Sequence, residues 1–211
     1  VVVRSFISLV VVVALACIAA VPASALQAGP SVTEFDAGST PGFTANRGPY
    51  GIAAGADGGV WFTEFAFPGA VGRLNADGSV TELTGGGTSG FSPNRKPSDV
   101  TIGPDGHVWF TEYGNPGGVA RVNDDGSVSE LVGGVTTGFT ANRQPTGITI
   151  GADGHLWFAE GGSPGGVARV NDDGSVTELT GGVTFGFTAD REPTEISSGP
   201  DGEVWFTEQR S

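Results

Sequence analysis

The sequence predicts an all-β fold, a β-propeller of four-stranded antiparallel blades, and three observations carry that prediction. One octapeptide recurs four times, as Asp57–Glu64, Asp105–Glu112, Asp153–Glu160 and Asp201–Glu208. Its tryptophans, Trp61, Trp109, Trp157 and Trp205, stand 48 residues apart, and self-similarity at one fixed period is the signature of a repeat architecture. A second segment keeps the same period: Val32-Thr-Glu-Phe35, Val80-Thr-Glu-Leu83, Val128-Ser-Glu-Leu131 and Val176-Thr-Glu-Leu179. Finally, each octapeptide joins an Asp-Gly turn to a run of aromatic and β-branched residues, a strong short-range hairpin signal. The 37 glycines and 13 prolines recur in register with the repeat, so they punctuate turns rather than mark disorder.

Taken in order, the chain opens on a segment that does not belong to the repeat. Arg4, the apolar run Phe6–Ala20 and the small residues Ala23-Ser-Ala25 read as a signal peptide over 1–25, cleaved after Ala25. The apolar run is short of the roughly 20 residues a membrane span needs. A lipoprotein signal acylated at Cys17 is the competing reading, weakened by Ala14, which stands where such signals usually carry leucine. The repeat domain then covers 26–211, in units near 36–83, 84–131, 132–179 and a partial 180–211. One unit shows the expected plan: strands at Asp99–Gly103, His107–Glu112, Gly118–Val122 and Ser127–Leu131, separated by Pro104-Asp-Gly106, Tyr113–Gly117 and Asn123-Asp-Asp-Gly126. Four antiparallel strands in a unit of this length make a propeller blade. A long loop, 132–145, leads to the next unit and repeats too, with Phe43, Phe91, Phe139, Phe187 and Arg47, Arg95, Arg143, Arg191 in line. The count is about three and a half blades, an incomplete propeller. The leading strand Val32–Phe35 is a candidate outer strand for the last blade. The chain therefore reads as a truncated product or a fragment, or alternatively as an open arc needing a partner, whose two bare blade faces predict self-association or poor solubility.

The formal charge is −13, and −14 once Arg4 leaves with the leader. Nucleic acid and anionic membrane surfaces need a basic footprint, so neither is expected as a partner. Cys17 is the only cysteine; without it there is no disulfide framework, thiolate nucleophile or cysteine metal site.

Features present in every blade read as structure. Glu64, Glu112, Glu160 and Glu208 with the periodic arginines read as repeated ion pairs or loop anchors. The tryptophans and Phe62, Phe110, Phe158 and Phe206 read as packing between blades. His107 and His155 follow the tight Asp-Gly turn and read as solvated turn residues. Asn123–Gly126 and Asn171–Gly174 lack the distal glutamate of a calcium loop and read as hairpin turns. A binding site has to break the repeat, so residues particular to one blade near the long loops are the candidates. Tyr50, Tyr113, Asp99 and Glu195 are the ligand-binding candidates, with Phe65, Phe67, Lys96, Asn115 and Glu192 beside them. Aromatics next to carboxylates suit a peptide or sugar ring.

The Gly-Pro-Asp-Gly-x-x-Trp-Phe-Thr-Glu pattern at Gly103–Glu112 and Gly199–Glu208, Val71-Gly-Arg-Leu74 and the Ser-Val-Thr-Glu-Leu segments resemble the streptogramin B lyase (virginiamycin B lyase) family over nearly all of the repeat region. The resemblance implies a seven-bladed propeller that linearises cyclic depsipeptide antibiotics by magnesium-assisted elimination. It implies catalytic positions around the proline opening each innermost strand, with histidine after that proline in two blades. Here those positions hold Tyr50, Ser98, Thr146 and Thr194. Gly48-Pro-Tyr50 matches the family's first blade, where the tyrosine contacts substrate. Glu192, before Pro193, matches a glutamate that the resemblance makes a magnesium ligand. The resulting expectation is a secreted, extracellular or periplasmic, non-catalytic or catalytically degenerate ligand-binding module. The alternatives are a carbon–oxygen lyase of the streptogramin class and a structural envelope or interaction protein.

Overall fold

In the computed structural model, residues 10–12 and 31–210 are described. Sixteen strands follow one another among them, with no helix. They are β1 (Val10–Val12), β2 (Thr33–Phe35), β3 (Pro49–Ala54), β4 (Val60–Glu64), β5 (Ala70–Leu74), β6 (Val80–Thr84), β7 (Pro97–Ile102), β8 (Val108–Glu112), β9 (Gly118–Val122), β10 (Val128–Val132), β11 (Pro145–Ile150), β12 (Leu156–Glu160), β13 (Gly166–Val170), β14 (Val176–Thr180), β15 (Pro193–Ser198) and β16 (Val204–Glu208). β3–β6, β7–β10 and β11–β14 form three four-stranded antiparallel sheets, each a simple meander, and β15–β16 form a two-stranded one. These are the blades of an incomplete β-propeller. The expected leader lies outside the described residues apart from β1. β2 does not complete the last blade; it pairs antiparallel with β1, Val10 opposite Phe35.

The octapeptide folds as its alternation dictates. Period-two side chains point to opposite faces of a sheet, so Val108, Phe110 and Glu112 face one neighbour while Trp109 and Thr111 face the other. Phe110 is fully buried and packs with Phe91 of the preceding loop, ring centroids 5.4 Å apart. It shares a core cluster with Val71 of the blade before. Trp109 packs instead towards the cluster of the blade after, with Ile148, Leu156 and Phe158. The core therefore lies between blades, one layer per junction. Each Asp-Gly turn is closed by its aspartate: Asp105 accepts the backbone N–H of His107 at 3.1 Å and the indole N–H of Trp109 at 3.0 Å. The glycine takes positive φ, 78° at Gly106, a conformation that costs glycine little.

At the other end of each blade the inner strand opens with a bulge, its register shifting between Pro97 and Val100, Pro145 and Ile148, and at the equivalent places in β3 and β15. A bulge leaves backbone groups outside the ladder. That local irregularity creates the candidate site.

Candidate functional site

The Pro-led ends of the inner strands and the loops after the second strands meet at one end of the arc, beside the long loops. Three blade-specific aromatics form a row there. Tyr50 after Pro49 lies 6.0 Å from Phe65, and Phe65 lies 5.7 Å from Tyr113, centroid to centroid. The Lys96 ammonium sits 5.5 Å over the Phe65 ring, within cation–π range. Tyr50 is 68 % and Phe67 78 % exposed. The row therefore presents aromatic surface at the rim rather than filling the core. In blades three and four the places of Phe65 and Tyr113 are held by Gly161 and Gln209, so the row ends at the second blade.

Asp99 and Glu195 stand two residues after their blade-opening prolines, where the other two blades have Gly51 and Gly147. Asp99 is tied to backbone on both oxygens: Oδ1 accepts Val100 N–H at 2.8 Å and Oδ2 accepts Ile148 N–H at 3.0 Å in the next blade. Burial raises its pKa, and those two backbone donors oppose the rise. Burial also raises Glu195, with the Asp99 carboxylate adding to it, so the structure brings these two candidates into electrostatic contact across Gly147. A Cβ on Gly147 would sit 2.8 Å from the Thr194 carbonyl oxygen and 3.0 Å from the Glu195 Cα; only glycine lets the inner strands approach so closely.

Glu192 takes φ 50°, as do Lys96 (50°) and Gln144 (51°) just before their prolines. Positive φ is unusual for residues with a Cβ and collects where function or packing compels it. The Glu192 carboxylate is paired with Arg210, Oε1 to Nη2 at 2.9 Å. No group of three or more His, Cys, Asp or Glu side chains among the described residues is placed to hold a metal ion.

The repeated carboxyls prove to be the most deeply buried titratable groups among the described residues. Glu64, Glu112 and Glu160 are fully buried, with neither carboxyl oxygen hydrogen-bonded. Beside each lie a periodic arginine and a second glutamate. Arg95 stands 3.7 Å from Glu112 and 2.8 Å from Glu130, and Arg143 stands 3.9 Å from Glu160 and 3.2 Å from Glu178. In the first blade Arg47 lies 3.6 Å from Glu82. Burial pushes Glu64 and Glu160 up to about 8, the second glutamate adding to the rise and the arginine opposing it. Glu112 is pushed up by the same causes. The second glutamates also fasten the long loops: Glu130 accepts Ser92 N–H at 2.6 Å, and Glu178 accepts Thr140 N–H at 2.6 Å. Sequence reasoning paired the arginines with the octapeptide glutamates and missed Glu82, Glu130 and Glu178, although their Val-Thr/Ser-Glu-Leu segments carry the same period. The histidines lie at the opposite end. His107 bridges Asp105 (3.3 Å) and Asp124 (3.1 Å), and His155 bridges Asp153 (3.4 Å) and Asp172 (3.3 Å).

Comparison with known proteins follows this geometry. The model of the virginiamycin B lyase family matches residues 28–211. The solved virginiamycin B lyase of Staphylococcus aureus is 28 % identical, with a TM-score of 0.66 over 85 % of this chain and 53 % of its own. A streptogramin B lyase structure is 30 % identical, with a TM-score of 0.67 over 85 % of this chain and 52 % of that one. A gluconolactonase-like structure, 15 % identical with a TM-score of 0.58 over 85 % of this chain and 61 % of that one, shares the fold alone. The chain thus spans about half the length of the two lyase structures. No curated protein matches it.

Proposed function

The chain belongs to the virginiamycin B lyase family, and from that premise we propose that its described blades form a non-catalytic ligand-binding module for a ring-bearing peptide or sugar. The observation that carries this reading is the row Tyr50–Phe65–Tyr113 under Lys96. Stacked aromatics offer large, rigid contact area, and a few polar groups beside them set orientation. Asp99 and Glu195 give the same rim its negative charge. The leader reading places the module outside the cytoplasm.

What separates this reading from catalysis is that no histidine follows the prolines opening the described inner strands. Abstraction of a proton next to a carbonyl needs a base within hydrogen-bond reach. Tyr50, Ser98, Thr146 and Thr194 occupy the openings, while both described histidines are tied to aspartates at the other end. Family membership favours the second reading, a carbon–oxygen lyase acting on cyclic depsipeptides. A catalytically inactive variant of the Staphylococcus aureus enzyme, solved with quinupristin, is 28 % identical to this chain with a TM-score of 0.66. Titration of the chain with a streptogramin B, with and without magnesium, followed by mass spectrometry separates the two. Saturable binding without a linearised product is expected; a linear product would replace the binding reading with the lyase one, and no binding at millimolar ligand would remove both.

A further inference from the structure

Lys96 stands apart from the other cations of the molecule. It is the only lysine in a sequence of net charge −13. Among the described residues every arginine lies within 4.0 Å of a carboxylate. The exposed Lys96 ammonium has neither a carboxylate partner nor a hydrogen bond among them; it rests over the face of the Phe65 ring, 5.5 Å from the centroid. A cation–π contact leaves all three N–H donors of an ammonium unused.

The backbone sets that ammonium in place. Lys96 takes φ 50° immediately before Pro97, and its carbonyl accepts the Tyr113 N–H at 3.1 Å. From the other side Gly69 closes on it: a Cβ there would stand 3.2 Å from the Lys96 nitrogen. Phe65 and Tyr113 are half-buried and come from the first and second blades, whose four strands are all described. The place before the blade-opening proline holds Gly48, Lys96, Gln144 and Glu192 in turn, each at φ between 50° and 62°. The fold therefore accepts a cation, a neutral amide or an anion there. The acids of the rim are engaged or distant. Asp99 turns both oxygens to the Val100 and Ile148 N–H groups, and Glu195 belongs to the fourth blade, two junctions from Tyr113.

We infer, resting on the binding reading above, that Lys96 makes this row an anion subsite: the ligand lays a ring against Phe65 and Tyr113 and sets a carboxylate on the Lys96 ammonium. A single negative charge fits best, because each further one is repelled by the net charge of the chain. A sugar acid and an aromatic acid both offer such a ring and carboxylate.

Calorimetric titration of the 211-residue chain with two matched pairs tests this: methyl β-D-glucuronide against methyl β-D-glucoside, and 3-phenylpropionate against 3-phenylpropionamide. The acid of a binding pair should bind about 5-fold tighter than its neutral partner at low salt, the upper range for an exposed ion pair. That margin should shrink as salt is raised, and the pair with the tighter acid identifies the ring. Equal affinity of acid and neutral partner overturns the anion subsite while leaving the aromatic row as a binding surface. No saturation by any of the four at about 10 mM overturns the binding reading and the subsite with it. Lys96→Gln and Lys96→Glu keep the fold, since Gln144 and Glu192 hold the equivalent backbone at φ 51° and 50°. The first should erase the margin of the acid and the second reverse it. A margin that survives in either variant overturns the assignment to Lys96.

Discussion

The two ends of the blades come from one repeat and handle charge in opposite ways. At the tight-turn end aspartates stay in solvent and bond locally. Asp125 accepts the Ser127 hydroxyl at 2.6 Å and its N–H at 2.9 Å, and Asp173 accepts the Ser175 hydroxyl at 2.5 Å and its N–H at 2.9 Å, which holds their carboxyls below the usual range. At the long-loop end glutamates are driven into the interior beside one arginine and a second acid, and their pKa values rise. The first arrangement is nearly identical from blade to blade. The second surrounds a rim whose residues differ between blades: Tyr50 against Ser98, Phe65 against Gly161. Repetition marks what each blade needs to stand; departure from it marks where the proposed binding surface lies.

That contrast can be broken most forcefully at the buried layer. Phe110→Ala should destabilise the fold by about 3–5 kcal/mol, the range for a truncated core aromatic, measured by urea denaturation. Trp205→Phe, on the exposed face, should cost under about 1 kcal/mol. Next comes Arg143→Ala, which leaves the Glu178 carboxylate without its cation beside a Glu160 that keeps its proton at neutral pH. A loss of about 3 kcal/mol at neutral pH is expected, since removing one partner of a buried ion pair strands the other charge.

The pH dependence sharpens the comparison because the two ends act with opposite sign. Raised glutamates mean that the folded chain binds more protons than the unfolded one between their ordinary value near 4.5 and about 8. Stability from this end is therefore complete below about 4.5 and falls as pH rises to about 8. The lowered aspartates contribute the reverse, stability that is lost as pH falls below their ordinary 3.8. Thermal melts across pH 3 to 9 should peak on the acidic side of neutral. Glu160→Gln should flatten the decline towards pH 8; a decline as steep as the parent's would remove Glu160 as a cause. Smaller in stability but larger in binding is Tyr113→Ala. It should shift the urea midpoint little and weaken ligand about 10-fold, in line with about 1–3 kcal/mol for a stacked aromatic contact. The smallest effect belongs to His107→Asn, within about 0.5 kcal/mol, with ligand affinity unchanged because the residue sits at the far end.

Much of the fold was legible before any coordinates. The octapeptide gave β4, β8, β12 and β16 to within a residue, because a turn and a two-residue alternation are local properties. Tyr50, Asp99, Tyr113 and Glu195 were named because they depart from the repeat, a comparison the sequence makes against itself. The sequence did not reveal that Asp99 is bonded on both oxygens across a blade junction, or that Phe65 links Tyr50 to Tyr113. The Asp99–Ile148 and Phe65–Tyr113 contacts join residues from different blades, where periodicity carries no distance information.

By itself the sequence determined the unit: its strands, its turns and which side chains alternate, since these follow from backbone geometry over a few residues. Only the tertiary structure decided what that alternation faces. Glu112 reads the same as any polar residue ending a strand, yet stacking one blade on the next withdraws water from its carboxyl and shifts its proton equilibrium. Desolvation belongs to the assembly of blades, and no single blade contains it.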